Sequence, residues 1–219
     1  MAEPVKTKRR YDSSHRKEQA AATRREILDA AQRRFESDGY AATTMQAIAA
    51  EAGVALKTVY VAFETKSGLL RALWHVLLRG DAGDAPMGQR RWYQELLAEP
   101  DPERQLRMNA SASRTVKVRA APIMDVIRSA APLDADIAEL WSRIQSEFYA
   151  MQRPIVESLQ AKDALKPELD VTRACDILWS LNHPDVWQLL VGQRGWTPAE
   201  YEQWFGDTVC AQLLAGATS

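Results

Sequence analysis

Lys57, Thr58 and Tyr60 fall together in the stretch AIAAEAGVALKTVYVAFETKSGLL, residues 47–70, where two short apolar segments flank Gly53. An ammonium can donate to the acceptor pair on a guanine edge, and a threonine offers a hydroxyl to a base or phosphate and a methyl to thymine. A tyrosine hydroxyl reaches a phosphate without adding charge. Two short helices joined by a glycine turn make a helix-turn-helix, whose second helix enters the major groove with its leading residues against base edges. The leading residues here are Ala55, Leu56, Lys57, Thr58 and Val59, with Leu56 a further apolar contact for a thymine methyl. Thr43 and Thr44 stand before the first of the two helices and Lys66 opens the helix that follows, beside N-termini that already favour phosphate. Lys8, Arg9 and Arg10 lie in a basic segment able to follow the backbone or enter the minor groove. A structural helical hairpin shares this pattern of glycine and apolar residues, so the turn alone does not decide.

Charge divides the chain in the same sense. The net charge is −1, but residues 1–80 hold 14 Lys/Arg against 9 Asp/Glu, and residues 81–219 hold 14 against 20. An anionic partner for the first part only is consistent with that asymmetry, as is a solvated basic face.

The elements that must position these residues are helical, since apolar residues recur at i, i+3 and i+4 and no alternation of period two is found. Residues 1–17 have no apolar face and are expected to form a mobile arm. A helix is predicted from about Glu18 to Ser37, ended by Asp38-Gly39. Thr43 and Gln46 have the spacing of a capping box for the next helix, whose buried stripe is Met45, Ile48, Ala49 and Ala52. After Gly53 a short helix reaches Phe63, and another covers 66–79. The segment GDAGDAPMG, 80–88, breaks the composition. Beyond it helices are predicted near 89–98, 102–118, 120–130, 134–162, 171–182, 184–193 and 198–215. Asp101-Pro102 and Thr197-Pro198 place a capping side chain before proline at the first helical position. The predicted fold class is all-α, with a basic arm over 1–17, a helix-turn-helix domain over 18–65 and a larger helical domain over 66–219.

The stretch TTMQAIAAEAGVALKTVYVAFETKSGLL resembles the TetR family of transcriptional regulators. Thr44, Ile48-Ala49, Ala52-Gly53-Val54, Thr58-Val59-Tyr60, Phe63 and Lys66-Ser67-Gly68-Leu69 carry the resemblance, together with Asp38-Gly39-Tyr40, over roughly residues 22–72. Ala55 replaces a frequent capping serine, Lys57 a common glycine, and Ala62 a frequent histidine or tyrosine. The resemblance implies a homodimer on a near-palindromic operator in double-stranded DNA, usually a repressor, released by a small-molecule effector. It also implies that residues beyond about 80 bind the effector and dimerise through the last two long helices, 171–182 and 198–215, with Leu178 and Val209 among the apolar interface residues.

The second part is rich in aromatic residues, which permits a pocket with apolar and aromatic walls and few polar anchors. Aromatic residues at helical spacing equally build plain core. Met108, Met124, Ile127, Trp141, Phe148, Trp179 and His183 are the candidate lining residues. His183 precedes Pro184, so it is also placed to end one helix and cap the next. Three widely spaced histidines give no metal motif, no glycine-rich phosphate loop is found, and neither cysteine has a catalytic signature, so no enzyme activity, cofactor or metal is expected. Cys175 and Cys210 are expected as core filler in a reducing, cytoplasmic setting, with no membrane span. A DNA-binding dimer with an architectural role and no effector is the competing class. Deleting residues 1–17 is expected to weaken DNA binding and to flatten its salt dependence, by about 0.9 in logarithmic slope for each phosphate that the arm neutralises. Titrations at several salt concentrations measure that slope.

Overall fold

The computed structural model describes residues 9–80 and 87–216. Lys8 therefore lies outside the described residues. The regular elements within them are helices, with one isolated bridge between Leu165 and Leu214. They are α1 (Arg9–Ala42), α2 (Met45–Glu51), α3 (Leu56–Phe63), α4 (Lys66–Arg79), α5 (Arg91–Ala98), α6 (Pro102–Ala130), α7 (Ala135–Ala150), α8 (Gln152–Ala161), α9 (Val171–Leu181), α10 (Pro184–Trp187) and α11 (Pro198–Leu213). Among the described residues no helix is long and apolar enough to cross a membrane.

The chain forms two compact units, Met1–Leu73 and Trp74–Ser219. The boundary thus falls inside α4, not at 65/66. Buried Leu69, Leu70 and Leu73 belong to the first unit, and buried Trp74 and Leu77 to the second. In the first unit α1 begins at Arg9, so residues 9–17 continue a helix and are not an irregular arm. A polar segment needs no apolar face of its own to extend a helix already nucleated by the buried residues Ile27, Ala31 and Phe35. The regular turns stop at Gly39, whose φ of 75° lies in the region that only glycine enters freely.

In the second unit, α6 packs along α11, and α8 along α9. Their shared core includes Leu106, Ala110, Val156, Leu178, Phe205 and Val209, all essentially inaccessible. Two predicted boundaries move. Helix α6 runs unbroken from its Asp101 cap through Pro122 to Ala130. Buried Ala120, Ile123, Met124 and Ile127 continue the inward stripe of the first half, and that burial outweighs the hydrogen bond missing at Pro122. The long helix predicted over 134–162 divides at Met151, where α7 ends and α8 begins. Pro154 sits in the first turn of α8, where a missing N–H costs nothing. After α10 the backbone widens to a π-helical segment, Gln188–Gln193.

The burial of Leu178 and Val209 corrects the expected interface. Both are fully covered within one chain, so neither is free to meet a second copy. Leu178→Asp or Val209→Asp is expected to destabilise the protomer by about 3–5 kcal/mol, as an uncompensated buried charge does. Denaturant unfolding monitored by circular dichroism measures the loss; a stably folded monomer from either variant would contradict this placement.

Candidate nucleic-acid interface and apolar cavity

The turn between α2 and α3 closes by backbone geometry. Gly53 has φ 67°, Val54 N–H donates to Ala49 O (3.0 Å), and Gly53 N–H donates to Ala50 O (3.3 Å). This is the Schellman arrangement, which satisfies the last carbonyls of α2 and needs a left-handed residue. Glu51 takes the Arg33 Nε–H at 2.7 Å and also accepts from Arg34, tying α2 to α1. These bonds, led by that from Arg33, hold the Glu51 carboxyl below its usual range. On the other side Arg24 donates to Ala62 O at 2.7 Å with its guanidinium 4.1 Å from the Phe63 ring centre, tying α1 to α3.

Helix α3 buries Val59 and Phe63 and leaves Ala55, Leu56, Lys57, Thr58 and Tyr60 exposed. Val61, not among the residues expected from the sequence, is 77% exposed. Its signal is the spacing of four from Lys57, which puts both on one helix face. Ala55 occupies the N-cap of α3 without a side-chain bond, as the missing serine implied. Thr44 is exposed and caps α2, its Oγ1 accepting from Ala47 N–H at 3.1 Å.

Two candidates turn inward. Thr43 is 1% exposed, and its hydroxyl lies within bonding distance of Gly39 O (2.7 Å) and Arg34 O (3.1 Å). The capping role expected of Thr43 therefore belongs to Thr44. Lys66 Nζ donates to Tyr40 O (2.7 Å) and Thr43 O (3.0 Å) and lies 4.2 Å from the Tyr40 ring centre. Its ammonium serves the carbonyls left open where α1 ends, rather than standing free for a phosphate. Arg9 and Arg10 open α1.

The second unit contains a partly open cavity of about 120 Å3. Trp74, Trp92, Tyr93 and Phe148 give it aromatic walls, and Met124, Ile144 and Ile155 add aliphatic ones. Of the predicted lining residues, Met124 and Phe148 border this cavity. Met108 instead borders a separate open groove of about 590 Å3 with Arg79, Arg90 and Arg119. Ile127 is fully buried core, Trp141 is half-buried away from the cavity, and Trp179 packs edge-on against Tyr149 and His183. His183 caps α10, its Nδ1 accepting from Asp185 N–H at 3.2 Å. Burial pushes its imidazole below the ordinary value, partly opposed by Asp185.

The polar wall of the cavity includes a lysine that was not foreseen from the sequence. Lys117, Asn109, Gln152 and Asn182 line it, each less than one-tenth exposed. Lys117 Nζ donates to Asn182 O (2.8 Å), Asn182 Oδ1 (2.6 Å) and Tyr201 Oη (2.6 Å). Burial pushes its amine well below the usual lysine value. The signal available was position: Lys117 lies seven residues from both Ala110 and Met124, on the inward stripe of α6.

A solvent-facing helix held against two others after a glycine turn is the geometry of a helix-turn-helix. Residues 27–73 match the family model for bacterial regulatory proteins, tetR family. Residues 27–73 thus form a DNA-binding domain of that family, and a larger helical domain follows it. No curated protein matches the chain in sequence. Among solved structures it is similar to NalD, the secondary repressor of the MexAB-OprM multidrug efflux pump in Pseudomonas aeruginosa, with TM-score 0.68 and 20% identity over 90% of this chain and 98% of that one. A transcriptional regulator from Saccharomonospora viridis in complex with choline gives 0.68 and 18% over 90% and 100%. A TetR-family regulator from Mesorhizobium loti gives 0.65 and 20% over 88% and 95%.

Gly68 explains one residue of the lysine-containing motif. A Cβ there would stand 2.5 Å from Phe63 O, a backbone atom with little room to yield. Gly68→Ala and Lys66→Ala are each expected to destabilise the first unit by about 1–3 kcal/mol, the first through overpacking and the second through removal of charged hydrogen bonds. Tyr60→Phe, at an exposed position, is expected to leave stability unchanged. Chemical denaturation of the three variants separates these outcomes.

Proposed function

We propose that the chain is a homodimeric repressor that binds a near-palindromic operator and is released from it by a small apolar or ring-containing molecule held in the cavity. The observation that carries the DNA half is the exposed face of α3, with Lys57, Thr58, Tyr60 and Val61 open while Val59 and Phe63 anchor the helix. Lys57 and Thr58 read base edges, Val61 and Leu56 meet thymine methyl groups, and Tyr60 touches a phosphate. Lys66 and Thr43 support the reader from within. The dimer places its two recognition helices in successive major grooves, so the half-sites lie about one helical turn apart or a multiple of it.

The aromatic-walled cavity supports the ligand half. At about 120 Å3 it suits a single ring better than a drug-sized molecule, since drug-sized ligands occupy roughly 300–1,000 Å3. Choline bound to the similar Saccharomonospora viridis regulator, and NalD's description as a repressor of a multidrug efflux pump, fit a second domain that senses small molecules. A ligand shifts the protein between DNA-competent and released forms only by its differential affinity for them, typically about 1–3 kcal/mol of coupling. Helix α4 carries the chain from one unit to the next, with Lys66 at its start and the cavity residue Trp74 two turns on.

Lys57→Ala is expected to cost about 1–3 kcal/mol and to relax preference at one base pair of each half-site. Tyr60→Phe is expected to weaken binding equally on all sequences. Binding measured over a panel of operator mutants tests both, and a uniform loss for Lys57→Ala would rule out base readout by that lysine.

A further inference from the structure

The cavity wall is unevenly charged. Lys117 reaches it from α6, only 6% exposed, and its three hydrogen-bond partners are neutral oxygens: a backbone carbonyl, a side-chain amide and a phenol. No carboxylate of the described residues lies within ion-pair distance of it. The Tyr201 and Phe205 rings face its Nζ at 4.6 and 5.7 Å, and Ser113 holds the same Asn182 oxygen from the other side. The lysine is thus fixed in place by dipoles and lacks a counter-charge. A structural buried lysine normally has one, because an unpaired ammonium in an apolar setting is costly.

The amides around the same space add unpaired hydrogen-bonding capacity. Asn109 Nδ2 is buried and has no partner. Gln152 donates its Nε2 to Phe148 O at 2.7 Å, which fixes that amide and leaves its buried Oε1 without a partner. Gln145 lies 2.9 Å from His183 Nε2. Since His183 Nδ1 accepts from the Asp185 amide, Nε2 of the neutral ring carries the proton and must donate to the Gln145 oxygen. The atom of this amide that lacks a partner is placed as Oε1, and turning the amide over to accept from His183 puts the NH2 donor in that unpaired position instead. Two donors and one acceptor on this wall therefore lack partners.

We propose that the molecule held in this cavity is a small organic acid: a ring-sized apolar body against Trp74, Trp92 and Phe148, with a carboxylate on the side of Lys117 and Asn109. The proposal rests on the cavity being the effector site and adds the charge of the effector. The carboxylate supplies the counter-charge that Lys117 lacks and accepts from the unpaired amide donors, and a hydroxyl elsewhere on the ring suits Gln152 Oε1. A cationic molecule fits the aromatic walls as well, through cation–π attraction, but sets a second positive charge beside a lysine without an acid. Glu147, on the exposed side of the cavity, is the one lining carboxylate.

The test uses the full-length protein and three probes of one size: benzoate, benzyl alcohol and benzylammonium. Trp74 and Trp92 report occupancy by fluorescence, and calorimetry gives the affinities. Benzoate is expected to bind roughly tenfold or more tightly than benzyl alcohol, with benzylammonium weakest, and 4-hydroxybenzoate is expected to improve on benzoate. In Lys117→Met, a near-isosteric change shown to be folded by circular dichroism, benzoate is expected to fall to the level of the alcohol while the alcohol is unaffected. In Lys117→Arg the preference for the acid is expected to persist. Equal binding of acid and alcohol to the native protein, a preference for the ammonium, or no saturable binding of benzoate would each overturn the proposal. Operator affinity measured with saturating benzoate tests the induction separately: acid-selective binding that leaves operator affinity unchanged keeps this inference and removes the release mechanism.

Discussion

The first unit depends on where one ammonium goes. Lys66, at the start of α4, closes on Tyr40 O and Thr43 O, and its charge lies over the Tyr40 ring. Those carbonyls belong to the end of α1 and the entry to α2, where Gly39 has turned the chain out of helix and the backbone has lost its internal partners. One side chain therefore joins three helices at the point that sets the start of α2. Helix α2 in turn sets α3 through Gly53, and Arg24 fixes the far end of α3 at Ala62. A recognition helix must be rigid before it meets DNA, because ordering it on binding would subtract from affinity. Here the rigidity comes from backbone carbonyls held by the side chains of Thr43, Lys66 and Arg24, and the exposed face of α3 contributes little to holding the fold.

That division explains what could be read from the sequence and what could not. The helix-turn-helix was legible because its requirements are backbone requirements. Only glycine readily takes the left-handed conformation at Gly53, and Val59 and Phe63 must alternate with exposed residues at helical spacing. Lys57 and Tyr60 were legible for the same reason: the buried residues fix which face is left. Thr43 and Lys66 were not, since a lysine beside a helix start has the same local sequence whether its ammonium meets a phosphate or a carbonyl. The direction is decided by Tyr40, twenty-six residues away.

In the second domain the all-α class and most helix starts were legible from caps, because Asp101 and Thr197 act locally. The cavity was not, beyond Met124 and Phe148. Aromatic and aliphatic residues at helical spacing mark the inward face of a helix, and whether that face meets a neighbour or an empty space depends on how several helices fit together. Ile127 meets core and Met124 meets the cavity, though they lie one turn apart on α6. Trp179 and His183 share a face with nearby wall residues but are taken up by each other and by the cap of α10.

The two units place opposite demands on their polar residues. A reader of DNA needs its donors exposed and its framework closed, so the polar groups that end up inside, Thr43 and Lys66, have protein oxygens as partners. A cavity that holds the proposed effector needs walls that stay apart, and full mutual satisfaction of its polar groups would favour collapse. Asn109 and Gln152 remain buried and incompletely paired, while Lys117 is fully hydrogen-bonded yet without a counter-charge. Each such group costs free energy in the unliganded chain, and the cost is of the kind a matching ligand relieves. A molecule that relieves it gains affinity from polar contacts a plain hydrocarbon cannot make. It also changes the relative stability of the occupied and empty forms of this domain, which is the only quantity through which occupancy of the cavity can act on DNA binding.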